Sequence, residues 1–192
     1  YYRPNIPIAV VEAKDNNHGV SDGIQQALRY AGSLGVPFAA SSNGDGFVLH
    51  DLRGTAPEKE TTLALDAFPS PEALWSRYCA WKGLTPKAQE IVLQPYYDGG
   101  PEKSPRYYQV RAVNAVVEAI AKGQDRVLLV MATGTGKTLA AFQIIWRLWK
   151  AGIKKRILFI ADRNILVDQT MVNDFRPFGP VMAKLSTGSK TI

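Results

Sequence analysis

Twelve consecutive residues constrain this chain more than any other part of it: Val127-Leu128-Leu129-Val130-Met131-Ala132-Thr133-Gly134-Thr135-Gly136-Lys137-Thr138. They read as a buried strand, a glycine-rich turn and the start of a helix. The two glycines let successive backbone N–H groups turn toward one point, and the helix adds the positive end of its dipole. Thr133, Gly134, Thr135 and Gly136 would thus cradle phosphates. Lys137 would reach the β- and γ-phosphates, and the Thr138 hydroxyl would complete the coordination of Mg²⁺. The strict pattern carries Gly where this chain has Met131, but both turn glycines remain. A chance glycine-rich turn is the competing explanation, and the flanking strand and helix argue against it. The expected ligand is a nucleoside triphosphate.

At 192 residues the chain has room for one or two domains, and its 46% hydrophobic and 21% charged residues are those of an ordinary globular protein. No apolar run approaches a membrane span, and no secretory signal is visible. One cysteine, Cys79, can form no internal disulfide and has no partners for a metal site, which fits a reducing cytoplasm. The chain begins at Tyr1 and ends at Ile192 in mid-pattern, so a longer parent is expected. The net charge of +6 is uneven. Residues 1–98 carry 8 Lys+Arg against 11 Asp+Glu, and residues 99–192 carry 15 against 6. A basic half bearing a triphosphate site suggests a polyanionic partner, nucleic acid first, although a merely solvated basic surface gives the same count.

Apolar, β-branched residues predict a strand over 6–13. Asp22 then resembles a helix N-cap, with Gln25 as its capping-box partner. A helix follows through Ile24, Ala27, Leu28, Ala31 and Leu34, stopped by Gly35. Strands over 36–42 and 47–51 flank an Asn43-Gly44-Asp45-Gly46 turn. A helical pattern runs through Leu74, Tyr78 and Trp81, and the Pro- and Gly-containing stretch 85–105 is the best boundary. Beyond it the pattern predicts helices over 108–121, 138–150 and 164–174 and strands over 126–131 and 156–161. Strands alternating with helices imply a parallel sheet.

Glu12 and Lys14 close the first predicted strand and, two residues apart, project to one face. A carboxylate can hold Mg²⁺ while a nearby lysine orients the attacking water and supports charge developing on phosphorus. By itself Glu-x-Lys carries little information, and a solvated ion pair at a strand end is the ordinary explanation. Its place at the end of an apolar strand favours a site. So do Gln26 and Tyr30, four apart on the next helix and therefore on one face, although a surface amide and a half-buried aromatic account for them equally well. His18 and His50 lack metal-ligand spacing, and Trp146 and Trp149 read as core.

Taken in order, these residues resemble the restriction (R, motor) subunit of type I restriction-modification enzymes over nearly the whole chain. Val10-Val11-Glu12-Ala13-Lys14 resembles the strand of the PD-(D/E)xK nuclease core, and Gln26-Ala27-Leu28-Arg29-Tyr30 its QxxxY helix. Ser41 to Phe47 is similar to the family's next strand and turn. Arg106-Tyr107-Tyr108-Gln109 resembles the adenine-side motif of a superfamily 2 helicase core, Ala132 to Thr138 its motif I, and Ile157 to Thr170 its motif Ia. The carboxamide of Gln109 can both donate to and accept from one edge of adenine, which selects ATP, unless it is only an exposed helix-start glutamine. Arg163 and Asn164 sit where a strand meets a helix and could touch phosphates of the DNA backbone, unless Arg163 is held by Asp162 or Asp168.

The resemblance implies an α/β fold: a partial PD-(D/E)xK nuclease core, residues 1–84, then a linker, 85–105, then the first part of a RecA-like P-loop ATPase domain with a parallel sheet, 106–192. It implies ATP and Mg²⁺ as cofactors. The implied partners are double-stranded DNA and the specificity and methylation subunits of one complex, with no membrane. The parent would hydrolyse ATP to translocate DNA and then cut it. The nuclease family also needs an Asp upstream of Glu12, and the motor an acidic Walker B motif and a second lobe. None lies within this sequence, so the isolated chain is expected to be nearly inactive. The alternative is a superfamily 2 helicase-type ATPase whose first half is a degenerate nuclease fold used only for binding.

Overall fold

The computed structural model describes residues 1–54, 59–100 and 104–185. Part of the stretch 85–105, at 101–103, and the end of the 106–192 unit, from 186 onward, lie outside the described residues. The fold is mixed α/β. Four strands, β1 (Ala9–Ala13), β2 (Phe38–Ser42), β3 (Gly46–Asp51) and β4 (Glu60–Ala64), form one sheet in that spatial order. β1 and β2 are parallel, with Glu12 opposite Ser41, and the remaining pairs are antiparallel.

β2 is buried along its whole length, so its alternate residues serve two cores. On one face Phe38 and Ala40 join Ile6, Ile8, Leu49, Leu74, Trp75 and Cys79. On the other, Ala39 and Val36 meet Ala27 and Ala31 of helix α1 (Ile24–Leu34), the crossover between the parallel strands. Alanines at this contact let the helix backbone approach the sheet closely. Ser70-Pro71 and Thr85-Pro86 begin helices α2 (Pro71–Lys82) and α3 (Pro86–Val92), each hydroxyl capping an N–H three residues on with proline at the first helical position. The stretch 85–105 is therefore not all loop: Ala88 and Val92 of α3 complete the first core.

Ile91, on the remaining face of α3, enters a third cluster with Val113 and Val117 of α4 (Tyr107–Ala121) and Ala140 and Leu148 of α5 (Lys137–Lys150). Full burial of a valine such as Val117 contributes about 1.5–3 kcal/mol, so this contact fixes how α4 and α5 lie together. Phe142, Phe175 and Phe178 form a fourth cluster against which Trp146 and Trp149 pack, in keeping with their reading as core. Helix α6 (Asn164–Val172) and a 3₁₀ segment at Arg176–Val181 close the described part.

Three expectations are corrected. Asp22 does not cap α1; its carboxylate accepts from Gly19 N at 2.9 Å and faces His18, while the cap position is Gly23. β4 was not expected, because Glu60-Thr61-Thr62-Leu63-Ala64 is an exposed edge without apolar alternation. The segments 126–131 and 156–161 form no ladder among the described residues. A strand exists only where another backbone pairs with it, and here Leu128, Val130, Leu158 and Ile160 lie 88%, 82%, 67% and 79% exposed.

Candidate functional site

Two clusters of polar groups stand at the ends of buried elements. In the first, β1 projects Glu12 and Lys14 to one face, and the Lys14 Nζ donates to Glu12 Oε1 at 3.0 Å and to Gln26 Oε1 at 3.2 Å. The Gln26 Nε2 donates in turn to the Tyr30 hydroxyl at 3.1 Å. All four side chains expected from the sequence thus form one hydrogen-bonded row. An ammonium has three donors; Lys14 spends two of them within the row. Tyr30 accepts through its hydroxyl, so its own proton stays available to a partner.

The row is held in place from behind. Gly23 N donates to Ser41 Oγ at 3.0 Å, and a Cβ on Gly23 would stand 2.8 Å from the Glu12 Cγ. The first turn of α1 is therefore seated directly on Glu12. Ser41, fully buried and in register with Glu12, was not singled out by sequence, because its role depends on the β1–β2 pairing. Glu12 offers a hard oxygen donor suited to Mg²⁺. Among the described residues no group of three ligating side chains accompanies it. Burial pushes the Cys79 thiol up to about 11, away from the thiolate form.

The second cluster is the glycine-rich loop from Ala132 to Thr138, expected from the sequence to cradle phosphates. Gly134 and Gly136 lie at φ 75° and 77°, in the left-handed region that disfavours side chains, which is why the sequence has glycine at both positions. α5 begins at Lys137 with no side-chain cap and no acidic residue in its first turn. Its positive end and its free N–H groups are therefore left for an anion. Thr133 and Gly134 are exposed and Thr138 is half-buried. The loop is closed on itself: Ala132 O accepts from Thr135 Oγ1 at 2.6 Å and from Lys137 Nζ at 3.0 Å. Lys137 has to leave that carbonyl to reach a phosphate.

Gln109 is buried beside this loop rather than exposed at the helix start. Its Oε1 accepts from Arg106 N at 2.8 Å, and its Nε2 donates to Thr135 O at 2.9 Å. A Cβ on Gly136 would collide with that carboxamide nitrogen, so Gln109 rests on the loop itself. Arg163 and Asn164 stand exposed at the start of α6. Arg163 makes only a loose 3.9 Å pair with Asp162, while Asp168 is taken by Lys184 at 2.5 Å.

Residues 102–191 match the family described as type III restriction enzyme, res subunit. The chain is 57% identical over 187 residues to the type I restriction enzyme EcoAI endonuclease subunit of Escherichia coli, covering 97% of this chain and 23% of that protein. It is 32% identical over 215 residues to the EcoKI endonuclease subunit of E. coli strain K12, covering 86% and 18% respectively. Among solved structures, a fragment of an HsdR subunit of a type I restriction enzyme from Vibrio vulnificus YJ016 superposes with a TM-score of 0.69 at 43% identity. That match covers 78% of this chain and 27% of the other. The chain thus spans about a quarter or less of these relatives.

Proposed function

We propose, from the premise that the chain belongs to the family of type I restriction enzyme endonuclease subunits, that it carries part of the DNA-cutting site and the triphosphate loop of such a subunit. The observation that carries this reading is the hydrogen-bonded row Glu12–Lys14–Gln26–Tyr30 at the end of β1. In this reading 1–84 is a nuclease-like unit, 85–105 the connection and 106–192 the first part of a RecA-like motor lobe. ATP and Mg²⁺ are the cofactors, double-stranded DNA the substrate, specificity and methylation subunits the partners, and the cytoplasm the compartment.

Mg²⁺ supplies Lewis-acid activation of a water and of the scissile phosphate when bound, with Glu12 as one oxygen ligand. Lys14, steadied by Glu12 and Gln26, presents its third N–H to a phosphate oxygen and opposes charge developing on phosphorus. Gln26 fixes the rotamer of Lys14, and the Tyr30 hydroxyl donates to a phosphate beside the cut. In the other half, Lys137 leaves Ala132 O for the β- and γ-phosphates of ATP. Thr138 would offer its hydroxyl to the magnesium ion, and Gln109, without leaving Thr135 O, would present its second N–H and second oxygen lone pair to the adenine edge. Arg163 and Asn164 hold the DNA backbone without reading bases, as a translocating motor requires.

A second reading, a helicase-type ATPase whose first half only binds, draws on one observation: Glu12 has no group of three ligating side chains around it among the described residues. One experiment separates the two. The full-length subunit, assembled with its partners on unmethylated circular DNA with ATP and Mg²⁺, is compared with Glu12→Ala, Lys14→Ala and Lys137→Ala. We expect the first two to lose cleavage by a factor of at least about a hundred while keeping DNA-stimulated ATP hydrolysis, and the third to lose both. Normal cutting by Glu12→Ala and Lys14→Ala would establish the binding module instead.

A further inference from the structure

The two clusters are joined by one helix. Gln109 and Arg111 are two residues apart on α4, which turns their side chains about 200° from one another around its axis. Gln109 therefore reaches the phosphate loop at Thr135 O, and Arg111 reaches the opposite way. The Arg111 Nη1 donates to Gly32 O at 3.2 Å and to Ser33 O at 3.0 Å, two carbonyls at the C-terminal end of α1. A cation there also meets the negative end of the α1 dipole. The guanidinium further packs at Gly35, where an added Cβ would stand 3.2 Å from its Nε. Three residues on, Asn114 donates to Asn5 O at 2.9 Å, so α4 also grips the chain that leads into β1.

α1 is the element on which the first cluster depends. Its N-terminal turn rests on Glu12 and its Gln26 holds Lys14, so a shift of α1 along its axis changes the Glu12–Lys14–Gln26 distances. α4 in turn cannot ignore the phosphate loop. Its Gln109 bonds the loop's Thr135 carbonyl, and its Val113 and Val117 pack with Ala140 of the helix that starts at Lys137. Thr135 and Lys137 are both tied to Ala132 O, and Gln109 holds the Thr135 carbonyl, so a rearrangement of the loop at Ala132 O would reach α4 through that bond.

We propose that Arg111 is a positioning residue for the Glu12–Lys14 site, and that through it α4 transmits the state of the phosphate loop to that site. The proposal rests on the nuclease reading of the first cluster. It gives the subunit a way to let nucleotide state at the loop adjust the geometry of the cutting site, without any contact between the two sites themselves. Such coupling requires an element that both sites bias, and α4 is bonded to the loop on one side and to α1, which carries Gln26 and rests on Glu12, on the other.

The test uses the full-length subunit in its assembled complex with DNA, ATP and Mg²⁺, comparing wild type, Arg111→Ala, Arg111→Lys and the control Glu12→Ala. Arg111 is exposed, so its replacement is expected to leave the fold intact, with an unchanged far-UV circular dichroism spectrum as the check. We expect Arg111→Ala to cut roughly tenfold more slowly at saturating DNA, with an unchanged KM for DNA and unchanged ATP hydrolysis. Arg111→Lys, which keeps a cation at the end of α1, is expected to recover most of the rate. Cleavage and ATP hydrolysis falling together, or no rescue by lysine, would mean that Arg111 is an ordinary surface contact, and the proposal fails. If Glu12→Ala is dead while Arg111→Ala cuts at the wild-type rate, the nuclease site stands and the link alone is overturned. If Glu12→Ala itself still cuts, the nuclease reading has failed and the link falls with it.

Discussion

The two halves of the molecule solve the problem of holding a polar site in opposite ways. In the first half every strand of the sheet pairs with its neighbour, and the Lys14-centred row exists only because the β1–β2 register and the α1 crossover bring Glu12, Ser41 and Gln26 together. In the second half two apolar segments have no ladder among the described residues, yet the phosphate loop keeps its shape. Local bonds hold it: Thr135 and Lys137 both return to Ala132 O, only a few residues back. One site is a product of tertiary pairing and the other of local chain geometry. That is why the second can be recognised in a linear sequence and the first cannot, except by resemblance.

The largest effect should come from supplying the missing pairing. The relatives extend far beyond the length matched here, and we propose that in the longer subunit 127–130 and 157–160 enter a parallel sheet. Amide hydrogen exchange of these segments should then change from nearly unprotected in the 192-residue chain to more than about a thousandfold protected in the parent. The amides of β2 should be equally protected in both. Fast exchange at Leu128 and Val130 in the parent would break the comparison, because it would mean that the second half needs no sheet at all.

A smaller effect is expected where the halves meet. Arg147, in the last turn of α5, is fully buried, and its hydrogen-bond acceptors are neutral groups. Its Nε donates to Gln94 O at 2.9 Å, its Nη1 to Asn114 Oδ1 at 2.8 Å and its Nη2 to Val92 O, and its guanidinium lies 4.7 Å from the Tyr96 ring centre. Burial lowers its pKa from the ordinary value, with Tyr96 acting against that, but an arginine stays charged even so. The same burial pushes the Tyr96 phenol up to about 12. Arg147 thus ties α5 to the connection after α3 and, through Asn114, to α4. Arg147→Met should destabilise the chain by about 2 kcal/mol, because the carbonyls of Val92 and Gln94 lose its N–H groups while Asn114 Oδ1 keeps the Tyr96 hydroxyl as donor. Denaturant melts followed by tryptophan fluorescence would measure it. A loss under about 0.5 kcal/mol would show that the halves are not held together at this point.

The contrast also explains what was legible in the sequence. α1, α4 and α5 were located to within a residue or two because apolar periodicity, a stop signal or the glycine turn marks each one. The glycine turn at Gly134 and Gly136 and the helix start at Lys137 were legible for the same reason. α3 was hidden inside a Pro- and Gly-containing stretch, although Thr85-Pro86 is a cap followed by a first-turn proline. Asp22 looks like a cap but serves the turn before it. Arg147 looks like any cation at the end of an amphipathic helix. Only the carbonyls of Val92 and Gln94 make it a buried tie, and nothing in a linear sequence announces where backbone carbonyls converge. Arg111 was invisible for the same reason, and Ser41 because its place beside Glu12 depends on the β1–β2 register.

The smallest expected effect isolates the first half by pH. Asp51, at the end of β3, accepts from the Arg53 side chain at 2.8 and 3.0 Å, and Arg53 also donates to Arg77 O of α2 and lies over the Phe38 ring. Burial raises the pKa of the Asp51 carboxyl. The hydrogen bonds and charge of Arg53, with Arg77 beyond, outweigh that and hold it below its ordinary value of 3.8. A carboxyl with a depressed folded pKa contributes stability that is fully present above the ordinary value and is lost as pH falls through the folded one. Wild type should therefore lose this contribution only below about pH 4. Asp51→Asn should be weaker by about 1 kcal/mol at neutral pH and show a flatter acid limb. Residue-resolved exchange carries the comparison further. The change should appear at β2, β3 and α2, and leave the amides of α5 as they were. A change spread evenly over α5 as well would mean that the two halves unfold as one unit, held together by ties such as that of Arg147 to α3 and α4.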